Sequence, residues 1–344
     1  MIICSSLRTD WFWQRIQDRR TVCSTVKEGF FSMRIINIST ETSVKSTKPM
    51  CACIGYFDGM HLGHQRLVAE TVKMAKEKHC ESSLITFDPD PWAVVKGMKN
   101  IRHISTLRQR MNKAVSLGIN NIVILHFTKE MSQLAPETFI TDILGRLNLQ
   151  GLVCGFDFHF GHMGKGDAKL LKEAAPYEIR VIEAVKDSNG KISSTRISKA
   201  IEEGDMSSVR SMVGEYYQME GTVIHGRHQG TGIGFPTANL KYSDEYLMPK
   251  TGVYAGYAKV GRKTWHAMIN IGHNPTFNYK ERLSVEAHLL GCDEDLYGSH
   301  MVLSFVKYIR EEQKFKSRNN LIMQLEQDVR NIERILEDNE QRIS

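Results

Sequence analysis

The chain has 344 residues, 41% hydrophobic and 24% charged, enough for two domains with full cores and ordinary for a soluble globular protein. A net charge of +6 with no run of five or six basic residues suits small anionic molecules and argues against a nucleic-acid partner. Seven scattered cysteines point to a reducing cytoplasm rather than a disulfide framework, and no apolar run approaches the roughly 18 to 20 residues that cross a membrane.

Residues 1–32 stand apart, carrying Trp11, Trp13, Arg15, Arg19 and Arg20 but no signal-peptide segment. Met33 opens an expected first strand, Met33-Arg34-Ile35-Ile36-Asn37-Ile38, so residues 1–32 read as an upstream extension from a misassigned start. Cys51-Ala52-Cys53-Ile54 is the next apolar strand, and Leu67, Val68, Val72 and Ala75 recur at helical spacing after it. Between them lies the turn Gly55-Tyr56-Phe57-Asp58-Gly59-Met60-His61-Leu62-Gly63-His64. Further strands are expected at Ser83-Leu84-Ile85-Thr86-Phe87, Ile122-Val123-Ile124-Leu125, Leu152-Val153-Cys154 and Ile179-Arg180-Val181-Ile182. Helices between them bury Leu107, Met111, Ala114 and Val115, then Phe139, Ile140, Ile143, Leu144 and Leu147 behind Pro136. This alternation predicts a doubly wound parallel sheet that binds ligands beyond the strand carboxyl ends.

Three stretches converge there. The turn places glycine where backbone can approach a ligand and puts His61 and His64 at a helix start, whose free N–H groups attract anions. A His-x-x-His pair would need a third ligand to hold zinc; none has a convincing spacing, so no zinc is expected. Gly155-Phe156-Asp157-Phe158-His159-Phe160-Gly161 also follows a strand, and Ile192-Ser193-Ser194-Thr195-Arg196-Ile197 opens a helix with hydroxyls and a guanidinium able to cap it or clamp phosphate.

Beyond Gly204-Asp205 and a helix running to about Val213 the texture changes. Strands at Gly221-Thr222-Val223-Ile224, Val253 to Ala258, Trp265 to Ile269, Val285 to Leu289 and Met301 to Phe305 predict a compact antiparallel barrel. A final helix is expected to bury Leu321, Leu325, Val329, Ile332 and Leu336. The segment Gly226 to Gly234 holds four glycines in nine residues, enough for backbone N–H groups to wrap anionic oxygens. Phe235-Pro236-Thr237-Ala238-Asn239 follows, with Thr237 and Asn239 alternating so that both oxygens point one way, as magnesium beside a triphosphate favours.

These motifs resemble, in order, those of the bacterial bifunctional riboflavin kinase/FAD synthetase family. Gly55 to His64 is similar to its HxGH nucleotidyltransferase signature, Gly155 to Gly161 to its nucleotide and flavin loop, and Ile192 to Ile197 to its pyrophosphate-holding motif. Gly234-Phe235-Pro236-Thr237-Ala238-Asn239 resembles the riboflavin-kinase motif that binds magnesium and ATP. The resemblance implies an adenylyltransferase domain over residues 33–213 and a kinase domain over 214–344. In the first, Gly55, Phe57, Asp58, Gly59, Gly63, Ser194, Thr195 and Arg196 would hold ATP, Asp157 and Phe158 the flavin or nucleotide, and His61 and His64 would act in catalysis. In the second, Gly230, Gly232, Gly234, Pro236, Thr237 and Asn239 would bind ATP, and Thr237 and Asn239 magnesium. Glu286 would be the catalytic base, with Arg310 near flavin or phosphate. Departures occur at Asp90, where the family reads histidine, at His159, where it reads arginine, and at Thr231, where it reads a basic residue. A flavin-binding regulator and a kinase-only enzyme stay open as rival readings. ATP, riboflavin, FMN and FAD are the implied small-molecule partners.

Overall fold

The computed structural model describes residues 23–28, 31–41, 48–225, 232, 234–273 and 283–341, in two compact units that divide between Ser194 and Thr195. In the first unit β1 (Cys23–Glu28), β2 (Phe31–Ile38), β3 (Met50–Ile54), β4 (Glu81–Asp88), β5 (Asn121–His126), β6 (Leu149–Gly155) and β7 (Glu178–Ile182) form one sheet. The order is β1-β2-β5-β4-β3-β6-β7, parallel throughout except for the antiparallel edge pair β1–β2. That edge strand lies within residues 1–32, where the alternation of apolar residues gave no strand.

Strands buried on both faces must be apolar at every position, which is why β3 and β5 read as continuous apolar runs. Alternate residues serve different cores. Ile36, Ala52, Ile85 and Val123 pack with Phe139, Ile140 and Ile143 on one face. Ile35, Cys53, Leu84 and Ile122 pack with Leu67, Val68, Met111 and Ala114 on the other. The second face is covered by α1 (Leu62–Glu77) and α3 (Leu107–Ser116), the latter opened by a capping box between Thr106 and Gln109. Between them α2 (Pro91–Lys96) is capped by Asp90, whose carboxylate accepts from the Trp92 N–H at 2.6 Å. The first face carries α4 (Lys129–Ser132) and α5 (Pro136–Thr138), which continues as a π turn over Phe139–Ile143. A further helix, α6 (Ala168–Ala174), and a small hairpin, β8 (Lys186–Asp187) with β9 (Gly190–Lys191), complete this unit. Strand order reverses at β3, with β4 on one side and β6 on the other, so the loops after β3 and β6 leave the sheet side by side at a topological switch point.

After α7 (Ser194–Glu203), Gly204 at φ 79° and the Asp205 cap turn the chain into α8 (Met206–Val213). A closed antiparallel barrel follows, in the order β10 (Tyr217–Ile224), β11 (Ala238–Tyr242), β14 (Leu283–Leu289), β13 (Lys263–His273), β12 (Gly252–Val260) and β15 (His300–Arg310). Closure leaves no free strand edge. Along β14 burial alternates, Val285 and Ala287 buried and Glu286 only half-buried, which turns Glu286 away from the barrel interior. The last helix, α9 (Arg318–Gln341), lays Ile332 and Leu336 on the outer face of the barrel against Val253, Ala255 and Met268, with Leu325 and Val329 half-buried beside them. Within that stripe Asp328 is also buried, at 3% exposure, a position the apolar spacing does not foretell.

Candidate active sites

The first site is built on the exit from β3. Gly55 N–H donates to the Ile85 carbonyl, and the chain then turns through three residues with positive φ, Phe57 at 61°, Gly59 at 73° and Met60 at 41°. A side chain at Gly59 would meet Ile104 at 2.9 Å, so only glycine fits both the backbone conformation and the space. Asp58 holds the turn shut: its carboxylate accepts from the backbone N–H groups of Ile104 and Ser105 at 3.1 and 2.9 Å. Ser105 Oγ in turn accepts from Gly59 N–H at 2.9 Å. Phe57 is buried in the core beneath. Thus Asp58 and Phe57 shape the loop from within.

His61 is the N-cap of α1: its Nδ1 accepts from the His64 backbone N–H at 3.3 Å. A ring nitrogen that accepts carries no proton, so in the neutral ring the hydrogen sits on Nε2. The two imidazoles stack with centroids 3.7 Å apart, and a Cβ at Gly63 would press within 3.0 Å of the His61 ring. Burial is the main cause that lowers both histidines, His61 to about 4 and His64 well below the usual imidazole range, with Lys191 acting on both and His61 and Arg110 adding to the effect on His64. At neutral pH the pair is therefore uncharged, and His64 Nδ1 is buried without a hydrogen-bond partner.

Around the pair, Lys191 on β9 pairs with Asp157 in the loop after β6 and stands 4.8 Å over the Phe156 ring. Phe158 stacks on Phe160, which packs against Phe139, while His159 turns back to the Gly164 carbonyl at 3.1 Å. Ser194 Oγ donates to the Asp58 carbonyl at 3.1 Å, tying the start of α7 to the turn. Thr195 is exposed on that first turn and Arg196 half-buried. Asp90 lies near His103, carboxylate to Nδ1 3.9 Å, in addition to its capping bond.

Arg110 is a buried cation that the apolar periodicity of α3 does not mark. It is 4% exposed, donates through Nη1 to the Tyr56 carbonyl at 2.7 Å and lies 4.3 Å from the Tyr56 ring. An arginine within the apolar stripe Leu107, Met111, Ala114 was the available signal, because a cation on a core-facing position must find a partner.

The depressed histidines have a measurable consequence. Between about 4 and the unfolded value of 6.5 for His61, the unfolded chain binds more protons than the folded one, so stability rises with pH. The stability is complete above about 6.5 and is lost as pH falls toward about 4. Thermal unfolding followed from pH ~7 to ~4.5 should show a steeper loss for the wild type than for His61→Asn. Equal slopes would remove burial of His61 as the cause.

The second site lies on the outside of the barrel. Asn239 on β11, Glu286 on β14 and Asn270 on β13 are direct cross-strand partners, so their side chains share one face. The row continues through Val253 on β12 to Arg310 on β15. Thr237 Oγ1 reaches Glu286 Oε2 at 3.4 Å, and His288 Nδ1 lies 2.8 Å from the Pro236 carbonyl. The Gly232 carbonyl accepts from the Arg318 guanidinium at the start of α9, Gly234 has φ 86°, and Gly230 and Thr231 lie outside the described residues. Asn270 opens the stretch Asn270 to Phe277, which in sequence also resembles the riboflavin-kinase domain, whereas Arg318 carries no such signal.

Arg310 is bound at Nε and Nη2 by the buried Asp328 carboxylate, at 2.9 and 2.7 Å to Oδ2, while Nη1 donates to the Glu311 carbonyl. A cavity of 590 Å³ beside it is lined by Arg310, Gln324, Asp328, Arg330 and Arg334 among others. Asp328→Ala should cost about 3–5 kcal/mol of stability, because it strands a largely buried guanidinium. Denaturant unfolding of the variant checks this; a loss below about 1 kcal/mol would mean the pair contributes like an exposed one.

Two family models match the chain, one described as FAD synthetase over residues 43–196 and one described as riboflavin kinase over residues 213–336. The chain is 35% identical over 278 residues to the bifunctional riboflavin kinase/FMN adenylyltransferase of Listeria monocytogenes, 80% of this chain and 88% of that protein. Similar matches are the proteins of the same description from Bacillus subtilis, 35% identical with 80% and 89% covered, and Escherichia coli K12, 31% identical with 80% and 89% covered. Among solved structures, one described as a macrolide-efflux protein from Streptococcus pneumoniae superposes with a TM-score of 0.81 at 30% identity, covering 86% of this chain and 97% of that one. Among the described residues no helix is long and apolar enough to cross a membrane.

Proposed function

The chain belongs to the bifunctional riboflavin kinase/FMN adenylyltransferase family, and from that premise we propose which residues carry each of its two reactions. It is an enzyme of flavin cofactor synthesis: ATP phosphorylates riboflavin to FMN, and a second ATP adenylylates FMN to FAD with release of pyrophosphate. Both reactions have a matching half in this chain, and no observation favours a regulatory or kinase-only role.

We assign adenylyl transfer to residues 33–213. An FMN phosphate oxygen attacks the α-phosphorus of ATP as the bond to pyrophosphate breaks, and negative charge builds on the oxygens of that phosphorus. The stacked pair His61 and His64 at the start of α1, beside the switch point, is the observation that carries the assignment. His61 offers its Nε2–H to that charge, and His64, stacked on it, adds a second imidazole at the same helix start. Neutral imidazoles suit this work, since each donates without surrendering a proton. Bound polyphosphate raises both toward the protonated form, and Arg110 and Lys191 supply fixed positive charge around them. Gly55, Gly59 and Gly63 let backbone approach the phosphates, Phe57 and Asp58 keep the turn in shape, and Ser194, Thr195 and Arg196 hold the leaving pyrophosphate. Asp157 and Phe158 contribute from the loop after β6.

We assign the kinase reaction to residues 214–344, with Glu286 accepting the proton of the riboflavin hydroxyl as its oxygen bonds to the γ-phosphorus. Thr237 and Asn239 present a hydroxyl and an amide oxygen beside the Glu286 carboxylate, a hard-oxygen donor set that fits magnesium. Magnesium bound there would neutralise phosphate charge. Gly230, Gly232, Gly234 and Pro236 shape the ATP loop, and Arg310, fixed by Asp328, lies at the cavity where flavin or its phosphate would sit. The free cysteines suit the cytoplasm as the location.

One assay tests the whole reading: purified protein with riboflavin, ATP and magnesium, with FMN and FAD separated over time. FMN appearing first and then giving way to FAD supports it; FMN alone would remove the adenylyltransferase assignment.

A further inference from the structure

Cys51 and Cys80 bring their sulfurs to 3.3 Å, yet neither belongs to either site. The sheet register causes the approach. Met50 pairs with Glu81 and Cys51 with Ser82, so Cys80, just before β4, lies beside the start of β3. Cys51 is fully buried, whereas Cys80 is partly exposed in the turn that closes α1, its N–H bonded to the Ala75 carbonyl at 2.9 Å. A disulfide requires sulfurs about 2.05 Å apart, so the pair must close by a little over an ångström. Cys53, two residues further along β3, is buried and directs its sulfur to the Ser83 carbonyl at 3.8 Å, which makes it an internal control.

We propose that Cys51 and Cys80 form a redox modification site, closing to an intramolecular disulfide by exchange with a small-molecule disulfide such as oxidised glutathione. Exchange begins at Cys80, the accessible thiol. Cys51 is pushed up to about 12, first by burial and then by its neighbour Cys80, so it acts second. Cys80 loses its proton to solvent and its thiolate attacks one sulfur of the oxidant; that S–S bond breaks and the departing half takes up a proton as a thiol. Cys51, deprotonated in its turn, attacks the Cys80 sulfur, and the second half leaves as a thiol. Two protein thiols have then lost two electrons and two protons, and the oxidant disulfide has become two thiols. The cross-link ties the start of β3 to the turn closing α1, while the far end of β3 carries the Gly55–His64 turn.

The test is to incubate the full chain with oxidised glutathione, denature it in an alkylating reagent and measure intact mass and peptides. The expected result is a protein lighter by two hydrogens, with two fewer alkylated thiols and a Cys51–Cys80 linked peptide that dithiothreitol removes, Cys53 being alkylated throughout. Cys80→Ser and Cys51→Ala should each abolish the linked peptide. A wild type that keeps glutathione on Cys80 with Cys51 alkylated, or leaves both thiols alkylated, would overturn the proposal.

Discussion

His61→Ala and His64→Ala should each lower the rate of FAD formation from FMN by about 10²–10³-fold, the usual loss for one preorganised donor to developing charge. The double variant should fall by less than the product of the two, because the stacked rings share one task. FMN formation from riboflavin should be unchanged, since neither histidine belongs to the barrel. Fold loss is separable from chemistry. Removing the His61 cap costs about 1 kcal/mol, an amount that leaves a two-core unit folded. His64→Asn keeps an N–H donor and should retain more activity than alanine. The measurement is steady-state formation of FAD and FMN on the same preparation, with thermal unfolding as the control. Loss of both activities in a folded variant would sink the assignment of two separate centres.

Glu286→Gln should lower phosphorylation of riboflavin by about 10²–10⁴-fold while FAD formation from supplied FMN continues. Glutamine preserves the shape of the side chain and can still meet the Thr237 hydroxyl, 3.4 Å from the carboxylate in the wild type, so what is lost is the base. Thr237→Ala tests the neighbouring role. If Thr237 serves magnesium, extra magnesium should recover part of its lost rate but none of that lost by Glu286→Gln. Recovery of both would make Glu286 a metal-positioning group rather than a proton acceptor.

Several of the positions where sequence and structure part company depend on a partner far along the chain. Arg110 and Asp328 sit in apolar helical stripes, so periodicity alone reads past them; their partners, Tyr56 and Arg310, lie 54 and 18 residues away. Asn270 belongs to a stretch that resembles the kinase domain in sequence, but only pairing through β14 sets it beside Glu286. Strand β1 pairs only with β2 at the sheet edge, and a short edge strand carries little alternation to detect. Asp90 and His159, each a departure from the resembling motifs, find local work instead: Asp90 caps α2 and His159 bonds within its own loop.

Local and periodic features were legible in the chain alone: a doubly wound sheet from apolar runs alternating with helical stripes, a barrel from short alternating strands, and the glycine-histidine and Thr-x-Asn motifs as local patterns that carry the resemblance. All of these rest on backbone geometry within about ten residues, which a linear reading carries in full. Folding alone settles which distant groups meet: the stacking and discharge of His61 and His64, the row Asn239–Glu286–Asn270, and the thiols of Cys51 and Cys80. Strand register and burial set those meetings, and both are properties of the assembled sheet and barrel that no single segment contains.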